Sequence, residues 1–159
     1  FSKLFKIQLI GLRFFTVFGE WGRPDMLIFK YIKANLNKKK FYLNENGNHF
    51  RDFTYIDDVI KILIKLRSVK FKKNFYIFNI CSNKPQKIID VINKINEFYL
   101  DFKHTSVYSK NLKKIEVNTT HGNNKEILKF MKKINYSSFD ESLKKTIDWY
   151  NKNKINKIT

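Results

Sequence analysis

The sequence predicts an α/β fold, and three observations carry that reading. Leu12–Phe18 is a run of aromatic and branched residues, too short and too rich in Phe, Thr and Val for a helix. It reads as a strand buried on both faces, as in parallel α/β sheets. Phe75–Cys81 is a second run of the same kind. Around them the pattern alternates β-α-β-β-α-β-α-β-α-α, the order of an α/β protein. Two core strands cannot make a doubly wound sheet by themselves, so the chain reads as part of a larger fold.

The first strand is followed by Gly19 and Gly22, and then by Arg23-Pro24-Asp25, which reads as a helix entry with proline at the first helical position. Strand, glycine-bearing turn and helix N-terminus in that order bring backbone N–H groups to the carboxyl edge of a sheet, where anionic ligands bind in open α/β folds. From Pro24 to about Leu36 the apolar residues Leu27, Ile28, Tyr31, Ile32 and Leu36 keep helical spacing. Lys38-Lys39-Lys40 marks an exposed turn, Phe41–Leu43 a short strand, and Asn44–Asn48, with Gly47, another turn. Phe50–Ile56 reads as extended, with Asp57 and Asp58 as caps opening a helix to about Ser68. Only Lys61, Lys65 and Ser68 form a polar stripe on that helix, so it is expected to be covered on most sides. After Pro85, a helix presents Ile88, Val91, Ile92, Ile95 and Tyr99 on one face, and Thr105–Tyr108 reads as a strand. Asn124–Ile134 reads as a helix with Ile127, Phe130, Met131 and Ile134 inward. Ser138-x-x-Glu141 is a capping box for a last helix ending near Asn151, ahead of a frayed tail over 152–159.

Composition sets limits on partners. The formal charge is +18, but the basic residues are 28 Lys and 4 Arg, spread along the chain as solvated faces would be. Specific base and phosphate-fork contacts favour arginine, so nucleic-acid binding is not the favoured reading. There is no 18-residue apolar run for a membrane span and no signal-peptide pattern, and the single Cys81 fits a reducing, cytoplasmic setting. His49, His104 and His121 lack metal-ligand spacing and read as surface or loop residues, with no metal expected. Cys81 reads as an inert small residue.

Three blocks carry a family resemblance: Leu12-Arg13-Phe14-Phe15-Thr16-Val17-Phe18-Gly19, Trp21-Gly22-Arg23-Pro24-Asp25-Met26 and Arg51-Asp52-Phe53-Thr54-Tyr55-Ile56-Asp57-Asp58. They resemble the extended short-chain dehydrogenase/reductase superfamily, and within it the nucleotide-sugar epimerases acting on UDP-glucuronate. Phe78-Asn79-Ile80 followed by Ser82-x-x-Pro85, and Ile147-Asp148-Trp149-Tyr150, fit in the same order. The likeness covers essentially the whole chain but only the carboxyl-terminal half of the family. It implies the C-terminal part of a Rossmann-like doubly wound domain, over 1–40 and 52–82, plus a small α/β substrate-binding lobe over 41–51 and 83–151. The family's Gly-x-x-Gly-x-x-Gly loop and catalytic Tyr-x-x-x-Lys pair would both precede residue 1. Tyr99/Lys103 and Tyr150/Lys154 match the latter string in the wrong structural context, so no catalytic residue is assigned here.

The resemblance implies NAD as cofactor, a UDP-sugar as ligand, the amino-terminal half as partner, and compatibility with a homodimer of the complete protein. The implied reaction interconverts UDP-glucuronate and UDP-galacturonate through a 4-keto sugar, and the chain alone is expected to be inactive. A dehydratase or decarboxylase of the same superfamily is the alternative enzyme, and a basic nucleic-acid-binding module the alternative of another class. Since a β-keto acid loses carbon dioxide when its carboxylate aligns with the carbonyl π system, an epimerase must pin that carboxylate. Thr16 is read as holding it and Arg23 as controlling its geometry. The backbone N–H groups of Met26 and Leu27, with the Arg51 guanidinium, are read as pyrophosphate donors, and Asn79 as lying near the phosphates. An ion pair with Asp52 or Asp58 is the other reading of Arg51, and Asp25 is read as a first-turn acid. The Phe14-Phe15 backbone is placed beside the nicotinamide amide.

The chain also departs from the family. The glycine after Asn-Ile is Cys81, a side chain where the backbone would pass a ligand. A Gln-x-Gly-Asp-Val segment is replaced by Lys113-Lys114-Ile115-Glu116-Val117, and the following Thr-x-Ala-Asp is Thr120-His121-Gly122-Asn123.

Overall fold

The computed structural model describes residues 1–98, 117–131 and 133–153, together with the strand backbone of 107–110. In chain order the first elements are α1 (Ser2–Phe5), β1 (Leu9–Phe14), β2 (Thr16–Phe18), α2 (Leu27–Leu36) and β3 (Phe41–Asn44). A 3₁₀ turn at Glu45–Gly47 leads to β4 (Phe50–Tyr55), α3 (Ile56–Arg67) and β5 (Phe75–Ile80). The rest are β6 (Pro85–Lys87), α4 (Ile88–Phe98), β7 (Val107–Lys110), α5 (Lys125–Leu128) and α6 (Phe139–Asn153).

The α/β order holds, with parallel pairing wherever the sequence predicts core strands. β1 pairs in parallel with β5, from Leu9 opposite Phe75 to Phe14 opposite Ile80. β2 pairs in parallel with β4, which takes β6 as an antiparallel neighbour, and β3 pairs in parallel with β7. The expected single strand Leu12–Phe18 is therefore two strands in two sheets. At Phe15 the chain steps from one to the other: its N–H donates to the Ile80 carbonyl (3.3 Å), and the Val17 N–H donates back to the Phe15 carbonyl (2.9 Å). Nor is the run buried on both faces. Among the described residues β1 and β5 form a two-stranded sheet, so Phe14 is 50% exposed and Ile77 42%.

Two apolar clusters organise the packing. The larger gathers Phe18, Phe53, Ile32, Ile92 and Leu143 from β2, β4, α2, α4 and α6. The smaller sets Val59, Ile62 and Leu66 of α3 against Phe78, Ile80, Ile127 and Met131. On α3 these three positions are buried and Ile56 packs partly against the larger cluster; Ile60, Leu63 and Ile64 are exposed, contrary to the expectation of cover on most sides.

Three other expectations are corrected. α2 begins at Leu27 rather than Pro24, because Arg23–Met26 closes a turn in which the Met26 N–H donates to the Arg23 carbonyl (3.2 Å). Asp57 and Asp58 lie inside the first turn of α3 and do not cap it. Buried Asp58 instead accepts the Ser137 N–H (2.7 Å) and hydroxyl (2.9 Å) and the Lys61 ammonium (3.2 Å). The helix expected over Asn124–Ile134 spans only Lys125–Leu128, although Ile127 and Met131 are buried as their spacing requires. Tyr99, Thr105, His104, the Lys113–Glu116 segment and residues 154–159 of the tail lie outside the described residues.

Candidate functional site

The site is built on the two-residue period of β4, which sends alternate side chains to opposite faces. His49, Arg51 and Phe53 face a cavity of about 490 Å³. Asp52, from the opposite face, is fully buried. It accepts the Ser82 N–H (3.0 Å) and hydroxyl (2.7 Å), the Asn83 N–H (3.1 Å) and the Gly122 N–H (2.9 Å). A carboxylate that gathers three backbone N–H groups and a hydroxyl ties β4 to the two loops beyond β5. One strand thus presents a ligand face and an anchoring face.

The cavity walls come from four directions. Thr16 enters from β2; Arg23, Asp25 and Met26 from the loop before α2; Leu27 and Lys30 from α2; and Phe41, Tyr42, Leu43 and Asn44 from β3. The floor is apolar and the rim is charged. Arg51 reaches across it, its Nη1 donating to the carbonyls of Phe50 (2.8 Å) and Val117 (2.7 Å). Arg23 grips Asp25 through Nε (3.0 Å) and Nη2 (2.5 Å), a pair that lies in solvent. The Arg23 hydrogen bond holds the Asp25 carboxyl below its usual range. Asp25 is therefore the partner of Arg23, not a helix-dipole acid.

The loop that carries Arg23 depends on close approaches. Gly19 has φ of 139°, and a Cβ there would sit 2.3 Å from Ile56. A Cβ on Gly22 would meet the Phe29 ring at 2.4 Å. Tyr55, buried beneath the loop, donates its hydroxyl to Glu20 (2.9 and 3.0 Å). Burial and then the Glu20 carboxylate push that hydroxyl above its ordinary range.

Five of the six residues read as substrate-binding, Thr16, Arg23, Met26, Leu27 and Arg51, line this one cavity. Asn79 does not: its Nδ2 donates to the Asn123 carbonyl (3.1 Å). Met26 enters as a wall, since its N–H is committed to Arg23 and is not a ligand donor. Phe14 and Phe15 lie off the cavity at the end of β1. His49 corrects the surface reading, for it is 9% exposed and forms part of the wall. The signal for it was present, because a strand that aims Arg51 at a ligand aims residue 49 the same way.

Cys81 is fully buried, and its thiol does not project toward a ligand. It fills the space over Gly122, where an added Cβ would come within 2.3 Å of the sulfur. Burial, and then the Asp52 carboxylate, push the thiol up to about 11, which suits an inert group. Among the described residues no three His, Cys, Asp or Glu side chains gather as metal ligands, and no helix is long and apolar enough to cross a membrane.

Residues 1–81, about half of the chain, match the model of the NAD dependent epimerase/dehydratase family. The chain belongs to that family. Uncharacterized protein MJ1055 of Methanocaldococcus jannaschii is 36% identical over 157 residues, covering 97% of this chain and 46% of that protein. The UDP-glucuronate 4-epimerase of Thermodesulfobacterium geofontis is 32% identical over 157 residues, covering 96% and 46% respectively. The crystal structure of the Bacillus cereus UDP-glucuronic acid 4-epimerase, in complex with UDP-glucuronic acid and NAD, superposes with a TM-score of 0.80 at 28% identity. That match covers 95% of this chain and 48% of the other. The chain thus spans about half the length of these relatives, and its α/β architecture corresponds to that half of the epimerase fold.

Proposed function

We propose that this chain supplies the sugar-nucleotide side of an NAD-dependent epimerase that interconverts UDP-glucuronate and UDP-galacturonate. The observation that carries the reading is the convergence of Thr16 and Arg23 with Arg51, which lies on another strand 28 residues further along, on one cavity. Arg51 brings a fixed guanidinium for the diphosphate, and the first-turn N–H groups of α2 add the positive end of a helix. Thr16 offers a hydroxyl to the sugar carboxylate. Arg23 offers a planar fork whose occupant, Asp25, is itself a carboxylate, so substrate binding exchanges one carboxylate for another at the same guanidinium. Phe41, Tyr42 and Leu43 give an apolar wall against which a base can lie.

NAD, when bound, supplies the hydride chemistry. This chain fits only one edge of it. The half-exposed Phe14 ring offers a surface, the Phe15 N–H is spent on Ile80, and none of the five glycines forms a dinucleotide phosphate loop. Residues 1–40 and 52–82 belong to the NAD-binding domain and 41–51 with 83–151 to the substrate lobe. The domain's remaining strands and helices, supplied by an amino-terminal half, then cover Phe14, Ile77, Ile60 and Ile64, all exposed here.

The test joins this chain to the residues that precede the matched region in a relative and follows product formation from UDP-glucuronate. Turnover to UDP-galacturonate is expected, with Arg23→His changing the rate or leaking a pentose by decarboxylation. Unchanged product ratios in that variant remove Arg23 from the role. A chimera that folds and binds no UDP-sugar overturns the reading as a whole.

A further inference from the structure

We infer that Tyr55 and Glu20 are a positioning pair that sets the site's preference for an acidic over a neutral sugar nucleotide. The inference rests on the nucleotide reading of the cavity, with Arg23 as the group that meets the sugar carboxylate. It goes beyond that reading, which gives neither residue a role. Tyr55 closes β4 on the same side as Arg51 and Phe53, and its register partner on β2 is Phe18. The loop that leaves β2 after Phe18 is seated on the Tyr55 side chain. A Cβ on Gly19 would lie 3.1 Å from the Tyr55 ring, and the hydroxyl donates to Glu20, 2.9 and 3.0 Å from its two carboxylate oxygens.

The backbone beyond Glu20 shows what that bond maintains. The Gly22 N–H donates to the Gly19 carbonyl (3.1 Å), so Glu20 and Trp21 occupy the two central positions of a tight turn. Trp21 has φ of 58°, a left-handed conformation that favours glycine at this point of a turn. A tryptophan stays there only where its surroundings over-determine the backbone. On one side its ring meets Trp149, centroids 5.2 Å apart, but Trp21 itself is 82% exposed. On the other side Glu20 is tied to Tyr55, which is 4% exposed and is the buried anchor. Burial, and then the Glu20 carboxylate, hold the phenol above its ordinary range, so it remains a donor at neutral pH. Asp57, in the first turn of α3, is a second carboxylate near the same hydroxyl. Arg23 is the next residue after the turn, and the direction of its fork is inherited from it. Once Glu20 is released, Trp21 relaxes and Arg23 loses its aim, whereas Thr16 and Arg51 stay fixed on β2 and β4. The loss therefore falls on the sugar carboxylate more than on the diphosphate.

Calorimetry on the full chain with UDP-glucuronate and with UDP-glucose, which lacks the carboxylate, tests the pair. The native chain is expected to prefer the acid about tenfold, the worth of one well-aimed charge-assisted contact. Tyr55→Phe keeps the ring and its packing, and is expected to cut that ratio about fivefold. Glu20→Ala separates positioning from charge, and carries the test even if the buried variant fails to fold. A Glu20 that acted through its charge alone would, once removed, raise the preference for the more anionic ligand; a positioning role lowers it, as Tyr55→Phe does. Glu20→Gln keeps an oxygen for the Tyr55 hydroxyl and is expected to retain the native ratio. A ratio unmoved or raised in Glu20→Ala, or unmoved in a folded Tyr55→Phe, overturns the role of the pair and leaves the cavity's function standing. A native chain that binds both ligands equally overturns the carboxylate role of Arg23. One that binds neither overturns the nucleotide reading, and in both cases this inference falls as well.

Discussion

The two sides of β4 differ in how far the described residues close them. On the cavity side, α2, β3, α4 and α6 enclose a core in which Tyr31, Ile32, Val91, Ile95 and Leu143 are fully buried. On the other side, β1, β5 and α3 share a smaller core, and the outer faces of the same elements carry Phe14, Ile77, Ile60, Leu63 and Ile64 in solvent. The first region is finished as a globule is finished, with charge on the rim and hydrocarbon within. The second has the composition of an interior on a surface, and contiguous apolar patches of that kind mark contact sites. A cavity for a ligand thus stands next to a face for a macromolecule, and each asks something different of its residues.

Asp52 joins the two regions, and removing it is the sharpest way to break the comparison. Its strand belongs to the cavity side, whereas its hydrogen bonds go to Ser82, Asn83 and Gly122 beyond β5. Asp52→Ala would take the shared acceptor from the Ser82, Asn83 and Gly122 N–H groups and from the Ser82 hydroxyl, leaving the buried Gly122 N–H unpaired and the Ser82 N–H with the Thr54 hydroxyl, at a cost of about 3–5 kcal/mol. Urea unfolding followed by circular dichroism measures it. A loss below about 1 kcal/mol would mean that each region holds itself together without the link.

A smaller effect tests the fit beyond β5. Gly122→Ala pushes a methyl group into the Cys81 sulfur, and overpacking of this kind costs about 1–3 kcal/mol. Adding Cys81→Gly, which removes the atoms that the new methyl group would meet, should recover most of that loss. A double-mutant cycle measures the coupling, and additive costs would show that the two positions do not compensate each other.

What the sequence made legible follows a physical divide. Thr16, Arg23 and Arg51 could be read because each sits in a motif whose neighbours fix its direction, and the cavity gathers all three. Ile127 and Met131 could be placed inward from their four-residue spacing even though α5 ends at Leu128. Strand partnership was not legible. Leu12–Phe18 is one apolar run, and nothing in hydrophobic pattern says that β1 will pair with β5 while β2 pairs with β4. Pro24 satisfies a helix start and a turn equally well, and the Met26-to-Arg23 bond selects the turn. His49 was missed because a lone histidine carries no spacing of its own; its direction is borrowed from Arg51 two residues on.

The smallest expected effect tests the open face itself. Ile62 and Ile64 lie close together on α3 but on different faces, the first 1% exposed and the second 65%. Truncating the buried one, Ile62→Ala, should cost about 2–5 kcal/mol, since the transfer energy and the cavity left behind both count. Ile64→Ser should move the stability of this chain by less than about 0.5 kcal/mol, because a solvated side chain loses no contact. The contrast turns over once α3 is covered. In the chimera carrying an amino-terminal half, Ile64→Ser should destabilise by an amount closer to that of Ile62→Ala, because the serine hydroxyl is then buried against apolar neighbours. Paired urea curves for the chain and the chimera read both comparisons. Equal tolerance of Ile64→Ser in the two proteins would mean that the outer face of α3 is not where the rest of the fold is seated.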